Sequence, residues 1–288
     1  METSELLKKI RRLEIKAKGL TKHIFSGEYH SAFKGRGMAF SEVRDYHFGD
    51  EVRTIDWNVT ARFNDPYVKV FDEERELTVM LIIDVSGSEN FGSGEKTKKE
   101  LALELAAVLS FSALSNNDKV GAIFVSDKIE KYIKADKGKK HALMILRELI
   151  ELEPSSKGTN IEEALKFFRT TQKKRSIAFV ISDFIDENNF IEGLKVARKK
   201  HDMVAIRLVD EAERELPNIG LVQFFNAETG QTTWVNSNSE EARKMHRELY
   251  EKEEAQLLDD LLKSGVDFVS ISTSEDFIKP LIKLFKNR

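Results

Sequence analysis

The chain has no cysteine. That excludes disulfides, thiolate metal sites and thiol nucleophiles together, and it fits a reducing compartment. Charge of one sign is lacking too: 46 basic against 49 acidic residues leave −3, so no global field points to nucleic acid. Long apolar runs are also missing. The longest, Thr78–Ile83 and Ile177–Ser182, have strand length, far short of the roughly 18 residues a membrane-crossing helix needs. The amino end, METSELLKKIRRLEIKAKGL, is too charged for a signal-peptide core. These absences predict a cytoplasmic protein without a membrane span. No internal repeat, low-complexity tract or obvious flexible linker is present.

The familiar catalytic frames are missing as well. None of the six histidines lies in an H-E-x-x-H frame. Gly87 and Gly92 have the spacing of a phosphate-binding loop, yet Ser93 stands where the lysine belongs. Gly35 and Gly37 lack the third glycine of a dinucleotide site and follow no buried strand. A phosphoaspartate enzyme built on Asp84 needs a second aspartate two residues on as its proton donor, and that position is Ser86. Ser86 as a nucleophile has no histidine partner in a recognisable context. The sequence therefore predicts a protein that is not an enzyme.

What is present is a chain of 288 residues, 41% hydrophobic and 33% charged, enough for one large α/β domain with a smaller attachment. Residues 2–19 read as a basic amphipathic helix, suited to a membrane or nucleic acid, or simply docked on its own domain. Residues 26–76 are rich in glycine, aromatics and alternating charges. They predict short strands and turns, with Tyr67–Phe71 the clearest strand. The charges there serve either as ion pairs fixing a Gly-rich fold or as a docking surface. From residue 78 onward, strands and helices alternate. Strands are expected at Thr78–Ile83, Lys119–Ser126, Arg175–Ser182, Met203–Val209 and Val266–Ile271, with Ile129–Ile133 as an edge partner. Helices are expected from about Lys96 to Leu114, and at His141–Leu152, Ile161–Thr171, Phe190–Lys200, Glu240–Lys263 and Phe277–Phe285. A hairpin is expected from Leu221–Phe225 and Thr232–Val235. The alternation predicts a doubly wound, mainly parallel sheet with helices on both faces, over residues 77–288, preceded by a segment of residues 1–76 holding a small helix and β-rich structure.

The stretch TVMLIIDVSGS, Thr78–Ser88, organises that larger part. An apolar, β-branched run without a polar face suits a central parallel strand. Its last residue, Asp84, then lies at the carboxyl edge of the sheet, where open α/β folds keep their ligands. Asp84, Ser86 and Ser88 offer only hard oxygens, which suit Mg²⁺, with Mn²⁺ or Ca²⁺ as alternatives. Further ligands must come from neighbouring strand ends. Thr159, in a Gly-Thr-Asn loop that opens a helix, and Asp183, at the end of a second buried run, stand where such ligands belong.

Asp84, Ser86, Ser88, Thr159 and Asp183 together resemble, in order and context, the metal-ion-dependent adhesion site of von Willebrand factor A domains. That resemblance implies an ion approached by the two serines and the threonine. The two acids bind it directly or through water, and one position stays open for a partner's carboxylate. The upstream run resembles the domain of unknown function numbered fifty-eight. It is carried by Gly35-Arg36-Gly37-Met38-Ala39-Phe40, Val43-Arg44-Asp45-Tyr46, Gly49-Asp50, Arg53-Thr54-Ile55-Asp56-Trp57, Ala61-Arg62 and Glu73-Glu74-Arg75-Glu76. Ala39 stands where a glutamate is common in that family. This second resemblance implies an adaptor or chaperone partner of a MoxR-type AAA+ ATPase. The function expected is a metal-dependent protein-interaction module, with loops near Glu89–Lys96 and Pro154–Asn160 as its rim; the alternative is a metal-assisted hydrolase.

Overall fold

The computed structural model describes residues 11, 12, 14, 39–63, 65–72, 77–94, 96–156, 158–186, 188–225 and 232–287. Residues 11, 12 and 14 are helical. The rest of the expected helix over 2–19, the Gly35–Met38 and Glu73–Glu76 runs of the signature, and residues 226–231 between the strands of the expected hairpin lie outside the described residues. Two compact units are formed, Lys34–Leu77 and one that contains Thr78–Arg288.

In the smaller unit, β1 (Ala39–Asp45) pairs antiparallel with β2 (Tyr67–Asp72), with a bulge between Phe40 and Glu42. A 3-10 turn (Val52–Thr54) and a short helix, α1 (Trp57–Phe63), connect them. The helix departs from the expectation of strands and turns alone. Its sequence, WNVTARF, is poor in strong helix formers. Asp56 starts it by accepting from the backbone N–H groups of Asn58 (3.0 Å) and Val59 (3.3 Å). The Arg44 guanidinium grips Asp50 with two bonds of 2.8 Å, and Asp50 also accepts from His47 N–H. The guanidinium first, then that backbone bond, hold the Asp50 carboxyl down to about 2. Gly49, at φ +113°, makes a turn that a side chain would strain. Much of the charge in this segment is thus used to fix its own turns.

The larger unit holds a six-stranded sheet. Its strands are β3 (Thr78–Asp84), β4 (Lys119–Val125), β5 (Ile129–Asp136), β6 (Ile177–Ser182), β7 (Asp202–Val209) and β10 (Asp267–Ser272). Their order is β10-β7-β6-β3-β4-β5, all parallel except β5. The hairpin β8 (Leu221–Phe225) and β9 (Thr232–Asn236) forms a separate antiparallel pair, as the sequence predicts. The helices are α2 (Lys98–Ser115), α3 (Lys139–Glu151), α4 (Ile161–Thr171), α5 (Ile191–Arg198), the single turn α6 (Glu211–Arg214), α7 (Glu240–Ser264) and α8 (Ile278–Lys286).

Side chains alternate across a strand, so the sheet divides its apolar residues between two cores. Met80, Ile82, Ile123, Ala178, Val180 and Ala205 pack with Leu165 and Phe168 of α4, Leu194 of α5 and Leu261 of α7. The alternate residues, such as Phe179, face the other way, where α2, α3 and α8 lie; the Phe179 and Phe285 rings meet edge-on at 6.2 Å. Strands β3 and β6 are buried throughout, apart from half-buried Thr78, which is why their sequences show no polar alternation. Helix α2 starts at a capping box formed by Thr97 and Glu100, and α7 ends at Gly265 in the left-handed region.

Candidate metal centre

Strands β3 and β6 are hydrogen-bonded neighbours with Ile83 opposite Ile181, so Asp84 and Ser182-Asp183 leave the sheet side by side. The chain continues from β3 to β4 on one side, and from β6 to β7 on the other. The carboxyl edge between β3 and β6 is therefore the switch point of the doubly wound sheet, where connections diverge and a crevice opens.

Local geometry aims the side chains into it. Asp84 accepts from Ser86 N–H at 2.8 Å and from the Ser182 hydroxyl at 2.7 Å. A 3-10 turn over Gly87–Asn90 brings the hydroxyls of Ser86 and Ser88 to 3.1 Å of each other. Asp183 accepts from Ile185 N–H at 3.0 Å, across a turn in which Phe184 has φ +61°. Thr159 is buried at the same edge. Asn160 N–H bonds to the carbonyl of Ser126 at the end of β4, and Ile161 N–H bonds to Asp186 beyond β6. The loop carrying Thr159 is thereby tied to both flanking strand ends.

Three further charged residues join the site. Glu89, expected on an exposed rim, is only 1% exposed and points inward; this corrects the sequence reading. One oxygen each of Asp84, Glu89 and Asp183 lie within 4.8 Å of one another. Glu89 Oε1 accepts from Asp183 N–H at 3.2 Å, while its Oε2 is buried with no hydrogen-bond partner. Lys98, the first residue of α2 and fully buried, donates to Asp183 Oδ2 at 2.8 Å and also pairs with Glu213 of α6. Glu213 Oε2 in turn accepts from Asp210 N–H at 3.2 Å. Asp210 holds Ser93 by its N–H and hydroxyl, and accepts from Thr273.

The electrostatics follow from burial. Loss of solvent, then the nearby Asp183 charge, push the Asp84 carboxyl up to about 7, against the bonds from Ser86 and Ser182. Burial pushes Glu89 well above the usual carboxylate range, reinforced by Asp183 and Asp84. Burial alone would pull Lys98 down, but Asp183, Glu213 and Glu89 outweigh it and hold the ammonium above its ordinary value. With all groups ionised, four carboxylates, those of Asp84, Glu89, Asp183 and Glu213, stand against the one Lys98 ammonium, leaving three negative charges uncompensated.

A divalent cation fits this arrangement. The donors are carboxylate and hydroxyl oxygens throughout, the chemistry of Mg²⁺, Mn²⁺ or Ca²⁺. The excess of negative charge in the crevice attracts such an ion, and the unpartnered Glu89 oxygen is the sort of buried acceptor a cation satisfies. Among the described residues this is the one carboxylate–histidine grouping close enough to hold a metal.

Sheet order, flanking helices and the acidic switch-point crevice define the class: a von Willebrand A-like α/β domain. The family described as "Protein of unknown function DUF58" matches residues 42–256, and the chain belongs to it. An uncharacterized protein of Mycobacterium tuberculosis is 29% identical over 232 residues, covering 80% of this chain and 73% of the relative. An uncharacterized protein of Mycobacterium avium is 26% identical over 135 residues, covering 45% of this chain and 76% of the relative. Among solved structures, an aerotolerance-related membrane protein from Bacteroides fragilis superposes with a TM-score of 0.52 at 17% identity, covering 74% of this chain and all (100%) of that one. The VWA domain of SpRpn10 gives 0.42 at 15% identity, covering 74% of this chain and 96% of that one. Among the described residues of this chain, no helix is long and apolar enough to cross a membrane.

Proposed function

We propose that this protein is a non-catalytic, divalent-ion-dependent interaction module that serves as adaptor or chaperone partner to a MoxR-type AAA+ ATPase. The observation that carries the reading is the trio of buried carboxylates against one ammonium at the switch point. Asp84, Ser86, Ser88, Thr159 and Asp183 would hold the ion, with Mg²⁺ favoured by the hard-oxygen donors. A bound ion there supplies a Lewis-acidic position for the carboxylate of a protein partner. The residues of this chain fix its depth, exclude water and, through the surrounding loops, select who delivers that carboxylate. The ATPase partner follows from the family resemblance.

The alternative, a metal-assisted hydrolase, needs a general base near the ion. Two described histidines are engaged away from the crevice, His141 with the Val120 carbonyl (2.9 Å) and His201 with the Ser176 hydroxyl (3.0 Å), while His246 bonds the Glu213 carbonyl (2.8 Å). The binding reading is the one the family resemblance supports.

The test is capture of a purified MoxR-type ATPase from the same source on this protein, run with Mg²⁺, with chelator, and with Asp84→Ala. Retention only by the intact site with metal is expected. Equal retention in all three runs would locate the contact away from the ion, and no retention in any would remove the ATPase from the proposal.

A further inference from the structure

We propose that Glu89 is itself a ligand of the ion, an internal carboxylate that closes the site against an outside one until a partner displaces it. The proposal rests on the metal reading above and adds a sixth protein donor, outside the five that the resemblance supplies.

Three observations carry it. First, the 3-10 turn after Ser86 sends Ser88 to a half-buried position and Glu89 inward, to 1% exposure, with one carboxylate oxygen within 4.8 Å of ligand atoms of both Asp84 and Asp183. Second, Oε2 of Glu89 is buried and makes no hydrogen bond, although Oε1 is held by Asp183 N–H. A carboxylate oxygen in that state lacks the partner burial demands, and a cation is what the neighbouring carboxylates would share.

Third, the site is shut sterically: Asp84, Ser86, Glu89, Thr159 and Asp183 are each less than a tenth exposed, so an entering carboxylate must take a place already filled. Displacement is local. The segment leaving Glu89 is anchored at Ser93 by Asp210, through bonds of 3.0 Å from its N–H and 2.5 Å from its hydroxyl. Movement of the turn is thereby bounded by Asp84 and Ser93, and Phe91 between them lies exposed as a handle for a partner.

The experiment uses Mn²⁺ as probe, with calorimetry for affinity and water-proton relaxation for the number of waters on the ion. It compares the intact protein, Glu89→Gln and Asp84→Asn. Glu89→Gln keeps the shape and the acceptor for Asp183 N–H. It is expected to weaken Mn²⁺ by about tenfold or more and to add about one exchangeable water, as loss of a charged ligand should. Added acetate should then remove that water in Glu89→Gln but not in the intact protein. Thermal melting in chelator controls for folding: Glu89→Gln should melt with the intact protein, because the amide keeps the shape and the oxygen that accepts from Asp183 N–H.

Unchanged affinity and water count in Glu89→Gln, with Mn²⁺ lost in Asp84→Asn, would overturn the role of Glu89 and leave the metal reading standing. A lower melting point of Glu89→Gln in chelator would make Glu89 a structural acceptor and overturn the proposal. No Mn²⁺ on the intact protein would overturn both.

Discussion

Lys98 offers the sharpest quantitative test of the charge balance at the sheet edge. Its ammonium is wholly buried, 2.8 Å from Asp183 Oδ2, and also bonded to Glu213. Two unit charges about 4 Å apart attract by about 4 kcal/mol at an effective dielectric of about 20. Removing one member of a buried pair also strands the other, and the usual cost is about 3–5 kcal/mol. Here the stranded charge is not alone, since Asp84 and Glu89 share the crevice. Lys98→Met removes the charge while roughly keeping the volume. In chelator at pH 7.5 it is expected to lose about 3–5 kcal/mol, a fall in melting temperature on the order of 10 °C for a domain of this size. Urea unfolding followed by circular dichroism measures it, with Asp183→Asn and the double variant completing a cycle. The double variant should recover about 2 kcal/mol relative to additivity. Saturating Mg²⁺ should shrink the loss, because the ion supplies positive charge to the same carboxylates. A loss below about 1 kcal/mol, or strict additivity in the cycle, would refute the view that Lys98 is the resident counter-charge.

Three further outcomes are expected. His201, buried beside Phe168 and bonded to Ser176, is depressed to about 4 by burial first and then by Lys200. Its neutral form is the folded one, so stability should be full above pH 6.5 and fall by up to about 3 kcal/mol as pH drops toward 4; His201→Asn should flatten that part of the curve, and parallel curves would remove His201 as its cause. At Gly121 in β4, an added Cβ would meet the backbone of Ala135 and Ile133 and the Met80 sulfur, each at 2.8 Å. Gly121→Ala should therefore cost about 1–3 kcal/mol in urea unfolding, and an unchanged midpoint would mean that β5 shifts freely. Thr97 accepts from Glu100 N–H at 3.2 Å in the capping box, so Thr97→Ala should lose about 1 kcal/mol by the same assay.

The parts of the molecule that sequence exposes best are those where local pattern and tertiary burial agree. Val79–Ile83 and Ile177–Ile181 are apolar on both faces because both faces are covered, and the run itself says so. The hydroxyls and acids at Asp84, Ser86, Ser88 and Asp183 were legible for a related reason: each sits next to such a run. Glu89 and Lys98 were not legible, although both lie between sites that were. A glutamate in a polar loop and a lysine at the start of a helix are ordinarily solvated. What buries Lys98 is Asp183, which is 85 residues further along the chain, together with Glu213. No window short enough to show a period contains such a pair. Helix α1 escaped for a different reason. Trp57, Val59, Thr60 and Phe63 favour strands, and Asp56 overrides them by capping.

The spacing of the bonds between β3 and β6 also bears on the order of folding. The Ser182–Asp84 and Asp183–Glu89 contacts join residues 98 and 94 positions apart, across a parallel pairing of β3 with β6 whose intervening chain holds α2, β4, β5, α3 and α4. Parallel pairings over such distances form slowly and late. The buried pairing of Lys98 with Asp183 is then a property of the finished native state, absent while the chain is still collapsing. Substitutions that break it, such as Lys98→Met, should speed unfolding and leave the refolding rate nearly unchanged, so the acidic crevice governs the lifetime of the native protein rather than the speed of its formation.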